Sequence, residues 1–201
     1  MRGILIGGAC ALGLAGCADL NLNTAGTPVQ RAALLGGAVD VAGPAGYCID
    51  LADSRLARGF ALLAPCGTLG LKDVDAPRSA GLITVQAGRA GTAAVAGSEP
   101  ALAGFLESDA GAALLSDSAE GVIVLGTSAN DNKVTVQFGD RDGTPIPGTQ
   151  DTAWRAFVDI NGRLVTISAR GLTAQPLGAS ALERLLEDAV SAVLAVNAAE
   201  S

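Results

Sequence analysis

Four cysteines, at positions 10, 17, 48 and 66, and a complete lack of histidine set the chemistry open to this chain of 201 residues. Without an imidazole, neither a Ser-His-Asp nor a Cys-His arrangement can form, and the usual zinc site loses its nitrogen ligand. Carboxylates remain. Asp50 with Asp53, and Glu107 with Asp109, can be posed as acid and base, but acids at the ends of strands and helices are ordinarily solvated. Gly126-Thr127-Ser128-Ala129-Asn130 starts like a nucleophile elbow, Gly-x-Ser-x-Gly, then misses the last glycine and lacks a base, so it reads as a turn. Asp140-Arg141-Asp142-Gly143 opens like a calcium loop, yet the twelfth position, where a bidentate acid closes such loops, is Asp151 in a stretch with two prolines. Gly36-Gly37 and Gly88-Arg89-Ala90-Gly91 lack the lysine and the strand-loop-helix setting of a phosphate site. The chain is therefore expected to be no enzyme and to need no metal or cofactor.

The cysteines sort by position. Arg2 begins a charged start, Ile4 to Leu14 form an apolar run thinned by Gly7, Gly8 and Gly13, and small residues follow, the three parts of a secretory signal. The run is far shorter than the roughly 20 apolar residues that span a bilayer. Leu14-Ala15-Gly16-Cys17 resembles the lipobox of bacterial lipoproteins, in which a leucine stands three residues before the modified cysteine. The resemblance implies cleavage after residue 16, a diacylglyceryl thioether on Cys17 and acylation of the new amino group. Several acyl chains hold a protein where one gives only marginal attachment. Asp19 is third when Cys17 is counted as first, so the resemblance implies no inner-membrane retention; the expected place is the cell envelope, on the outer membrane facing the periplasm. With Cys10 leaving in the signal and Cys17 carrying lipid, as the resemblance implies, Cys48 and Cys66 remain; an oxidising compartment favours a disulfide between them, and two buried thiols are the alternative.

Loss of Arg2 leaves 12 lysines and arginines against 20 aspartates and glutamates, a net charge of −8. That charge excludes nucleic acid as a plausible partner. With only Lys72 and Lys133 as lysines and the arginines scattered along the chain, polybasic attraction to anionic lipid is also excluded, and the membrane contact is the N-terminal lipid alone. Aromatic residues make up 3% of the chain, so the core must be built from Leu, Val, Ile and Ala around Trp154, Phe157, Phe138, Phe105 and Phe60.

The elements that position these residues follow from pattern. Residues 1–16 read as signal peptide, 17–37 as a lipidated N-terminus and flexible tether in which Leu34-Leu35 begin to dock, and 38–201 as one domain. Val39 to Val41, Tyr47 to Asp50, Phe60 to Ala64 and Leu82 to Gln86 read as strands. Ser98-Glu99-Pro100 starts a helix, with proline in its first turn, and Ser108-Asp109 restarts it. Gly121 to Gly126 and Lys133 to Phe138 read as strands joined by a polar turn, Thr127 to Asn132. Trp154 to Ile160 and Arg163 to Ala169 form the clearest hairpin, since Asn161-Gly162 tolerates the positive φ of a two-residue turn. Asp140 to Asp151 reads as the largest exposed excursion. Ser180-Ala181-Leu182-Glu183 has the pattern of a capping box ahead of an amphipathic helix of about four turns. Strands, helix, strands, helix give an α+β fold: an antiparallel sheet with a short central helical segment and a C-terminal amphipathic helix packed on it.

Gly46-Tyr47-Cys48-Ile49-Asp50, Phe60-Ala61-Leu62-Leu63, Cys66, Trp154-Arg155-Ala156-Phe157 and Asn161-Gly162-Arg163 resemble a group of small, uncharacterised exported proteins of proteobacteria with a paired-cysteine segment. No activity comes with that resemblance. The order of elements is also similar to the PsbP and Mog1 type of sandwich. The function expected is that of a non-catalytic binding or accessory domain with an envelope protein partner, engaged through a patch near Trp154 or the Asp140 to Asp151 loop. Two alternatives stay open: an envelope enzyme working with carboxylates alone, and an inhibitor or immunity-like blocker of a basic partner.

Overall fold

The computed structural model describes residues 28–116, 121–141 and 143–198; the lipobox, Leu14 to Cys17, lies outside them. In chain order the elements are β1 (Arg31–Leu34), β2 (Val39–Ala42), β3 (Tyr47–Arg55), a 3-10 turn (Leu56–Arg58), β4 (Phe60–Pro65), β5 (Gly81–Ala87), α1 (Glu99–Glu107), α2 (Asp109–Ala112), β6 (Val122–Asn130), β7 (Lys133–Asp140), β8 (Thr149–Ile160), β9 (Arg163–Leu172) and α3 (Ala179–Ala198). Seven strands form one sheet in the order β3-β4-β5-β9-β8-β7-β6, every neighbouring pair antiparallel, while β1 and β2 make a separate hairpin. The fold is α+β with the C-terminal helix packed on a large antiparallel sheet.

Strand alternation divides the core in two. Ile83 and Val85 of β5, Ala156, Val158 and Ile160 of β8, and Val165, Ile167 and Ala169 of β9 point to one face. There α3 lays down Leu182, Leu185, Leu186, Ala189, Val190 and Val193, and the β1-β2 hairpin adds Leu34, Val39 and Val41. The intervening residues of β7 and β8, including Val134, Val136, Phe138, Ala153 and Phe157, point to the opposite face, where α1 contributes Ala103 and Leu106. Each half of the sheet thus has a cover of its own, and period-2 patterning decides which side chain goes to which.

Several expected boundaries move. The tether does not reach residue 37: Arg31–Leu34 is a strand, and Leu34 is fully buried against the sheet. Thr127 to Asn130 is strand rather than turn, because β6 pairs with β7 down to Asn130 opposite Lys133 and only Asp131 and Asn132 make the connection, at φ 36° and 60°. Asn161 and Gly162, at φ 48° and 70°, close the β8-β9 hairpin as expected. Asp140 to Asp151 is no free excursion. Its ends belong to β7 and β8, Asp140 and Thr149 are buried, and Ile146 is stitched in between by bonds to the hydroxyls of Thr144 and Thr149. The helix α3 starts at Ala179 and runs 20 residues, so Ser180 lies inside its first turn and not at the cap. Phe105, expected in the core, is 44% exposed because α1 turns Ala103 and Leu106 inward instead.

Candidate functional site

Cys48 and Cys66 meet as expected. β3 and β4 pair with Tyr47 opposite Pro65 and Cys48 opposite Ala64, which places Cys66, one residue past the strand, at a Cα separation of 4.9 Å from Cys48. The disulfide is fully buried. The same segment positions Tyr47, whose hydroxyl donates to the Ser79 carbonyl at 2.7 Å and accepts from the Gly81 N–H at 2.9 Å. Burial pushes its pKa up to about 12, against a smaller pull downward from the Gly81 N–H. The phenol is thus a fixed, protonated strut beside a cavity of about 420 Å³ under α3 and is unsuited to act as a base.

The acids posed as catalytic pairs do not converge on a cleft. Asp50 Oδ1 accepts from the N–H groups of Ala52 and Asp53 and shapes the irregular end of β3. Glu107 accepts from the Thr127 hydroxyl, tying α1 to β6. Asp109 opens α2, whose start is capped by the Ser108 hydroxyl accepting from the Gly111 N–H. Ser128, of the Gly126 to Asn130 segment, accepts from the Asn130 side chain on β6. Asp140, the first residue of the calcium-like sequence, is instead a buried counter-ion: Arg170 Nη2 stands 2.6 Å from its Oδ2, and both side chains are at most 6% exposed. The contact is ionic and poorly aligned, since neither carboxylate oxygen receives a hydrogen bond among the described residues. Arg170 also donates to the carbonyls of Gln150 and Asp151. Its guanidinium and that of Arg155 lie 5.5 and 5.3 Å from the centre of the Phe138 ring. A ring face attracts cations, so Phe138 seats both arginines while Arg155 donates to Ser168.

Pattern reading missed one assembly. Arginines that look scattered in sequence gather at one end of the sheet, where Arg58, Arg89 and Arg163 line a groove of about 470 Å³ with Gln86, Leu35 and Ala87. Four connections build it and are bonded to one another. Leu35 N–H donates to the Leu56 carbonyl, Ala87 N–H to Gly59, and Gly88 N–H to Leu164, while Arg163 donates to the Gly88 carbonyl at 3.0 Å. Each arginine adjoins a glycine at a chain reversal: Arg58-Gly59, Gly88-Arg89 and Gly162-Arg163. That adjacency is the signal available in the sequence, since residues flanking turns at the same end of antiparallel strands become neighbours in space. Among the described residues no carboxylate lines the groove. The expected patch at Trp154 is absent for a physical reason: the indole packs on the first core and its Nε1 is buried. Exposed apolar side chains lie elsewhere, at Leu114, Ile123, Leu125, Phe105 and Leu194.

No protein-family model and no curated protein matches the chain. Among solved structures it is similar to the Ran-binding protein Mog1p of Saccharomyces cerevisiae, at 15% identity over 81% of this chain and 92% of that one, with a TM-score of 0.48. It is also similar to the cyanobacterial PsbP, CyanoP, of Synechocystis sp. PCC 6803, at 13% identity over 89% and 96% of the two chains, with a TM-score of 0.45. Neither lends a role to any residue of this chain.

Proposed function

We propose that this chain is an exported lipoprotein of the cell envelope, held by lipid on Cys17, whose α+β domain binds another envelope component and catalyses nothing. The observation that carries the reading is the fully buried Cys48–Cys66 disulfide, a bond that persists in oxidising compartments and is rare where thiols are kept reduced. It agrees with the lipobox-like Leu14-Ala15-Gly16-Cys17. The binding role is supported by the use the domain makes of its acids, since Asp50, Glu107, Asp140 and Asp159 each hold structure together. Metabolic labelling with palmitate tests the anchor: the native chain should incorporate label and Cys17→Ala should not. Label on the variant, or free thiols at both Cys48 and Cys66 in protein taken directly from cells, would overturn the reading.

A further inference from the structure

We propose that the groove between Arg58, Arg89 and Arg163 receives an acidic peptide segment of a partner protein, its carboxylates held by the three guanidinium groups. The inference rests on the binding role proposed above and specifies the chemistry of what is bound. A chain with seven more acids than bases places three of its cations around one groove that no acid lines among the described residues. None of the three has an ion-pair partner among the described residues, in contrast to Arg31, Lys133 and Arg170. Guanidinium groups suit this task because their fixed fork of donors matches a carboxylate in bidentate fashion. Arg163 is already aimed by its bond to the Gly88 carbonyl, and the interlocked turns hold the arginine-bearing backbone in place.

The shape and the surrounding charge select the occupant. A membrane presents a plane of negative charge to the whole face of an acidic protein, and so does a nucleic acid; repulsion from the rest of the molecule opposes both. A short acidic segment places its charge only where the arginines are. Leu35 and Ala87 add apolar surface to the groove lining, against which an aliphatic stem can lie. The sign is opposite to that required of a blocker of a basic partner.

The test uses the full chain and a fluorescent octaglutamate peptide, read by anisotropy. Binding should weaken as ionic strength rises and should fall about tenfold or more in Arg58→Glu/Arg89→Glu, the size expected when close charge pairs are lost. Arg184→Glu, on the exposed side of α3 near the opposite end of the sheet, should leave it unchanged. Circular dichroism checks the fold of each variant, and the milder Arg58→Gln/Arg89→Gln pair should show the same ranking. Equal weakening by Arg184→Glu, absence of peptide binding, tighter binding to inorganic phosphate, or a preference for anionic over neutral vesicles that Arg58→Glu/Arg89→Glu abolishes would each overturn the proposal; binding to both kinds of vesicle alike reports the lipid on Cys17 and not the groove. Palmitate incorporation is read separately, so loss of the groove and loss of the anchor are distinguishable results.

Discussion

Asp140 and Arg170 show how single residues are committed in this molecule. Their side chains are 0% and 6% exposed, and removing one partner from such a pair leaves a buried charge without a counter-ion. Asp140→Ala should therefore destabilise the fold by about 3–5 kcal/mol, whereas Asp140→Leu combined with Arg170→Met should recover most of that loss; urea denaturation of the three proteins measures both. The Cys48–Cys66 bond acts through the unfolded chain. Closing a loop with a sequence separation of 18 is worth about 3 kcal/mol, so Cys48→Ala/Cys66→Ala should unfold at correspondingly lower denaturant. The pairing of these cysteines was legible because setting aside Cys10 and Cys17 leaves two, which an oxidising compartment would join. The arginine groove was not, because Arg58, Arg89 and Arg163 come from three separate turns that only the strand order β4-β5-β9 brings to one end.

At the scale of elements, hydrophobic alternation and turn chemistry revealed the strands, and the 3.6-residue period revealed α3, where the expected face of Leu182, Leu185, Leu186, Ala189, Val190 and Val193 is buried while Leu194, expected with them, is 39% exposed. The departures have physical causes. Thr127 to Asn130 is a run of small, mostly polar residues that resembles a loop until pairing with β7 makes it a strand, and Arg31–Leu34 is too short to display a period. One connection depends on charge. Asp159, at the end of β8, accepts from the N–H groups of Ala94, Val95 and Ala96 at 2.9 Å each. Burial pushes its carboxyl upward, yet the three N–H bonds together outweigh it and hold the pKa below the usual aspartate value. A depressed value in the folded state means that the stabilisation is complete above the ordinary aspartate pKa and is lost as pH falls through the lower, folded one. The protection of the amides of residues 94–96 against exchange, taken relative to the intrinsic rate at each pH, should accordingly fall on acidification below about pH 4, and Asp159→Ala should show the same loss of protection at neutral pH.

Across the whole molecule, both ends of the described chain serve one core. Asn197 of α3 accepts from the Asp40 N–H and donates to the Asp40 carbonyl of β2, so the first hairpin and the last helix close over the sheet together. Leu34→Ala should cost about 2–5 kcal/mol and should raise amide exchange in the final turns of α3 as well as in β1; exchange confined to the hairpin would refute that coupling. The entry point of the chain has a mechanical consequence. Val29 and Ile49 exchange two backbone hydrogen bonds, the residue beside Ile49 is Cys48, and its sulfur is joined to Cys66 beyond β4. Tension drawn through residue 28 is thus delivered to the edge of the sheet, where β3 is covalently clamped to the chain leaving β4. Peeling of that edge by a pull is arrested at the clamp, and a reductant would convert a strand that resists traction into one that unzips.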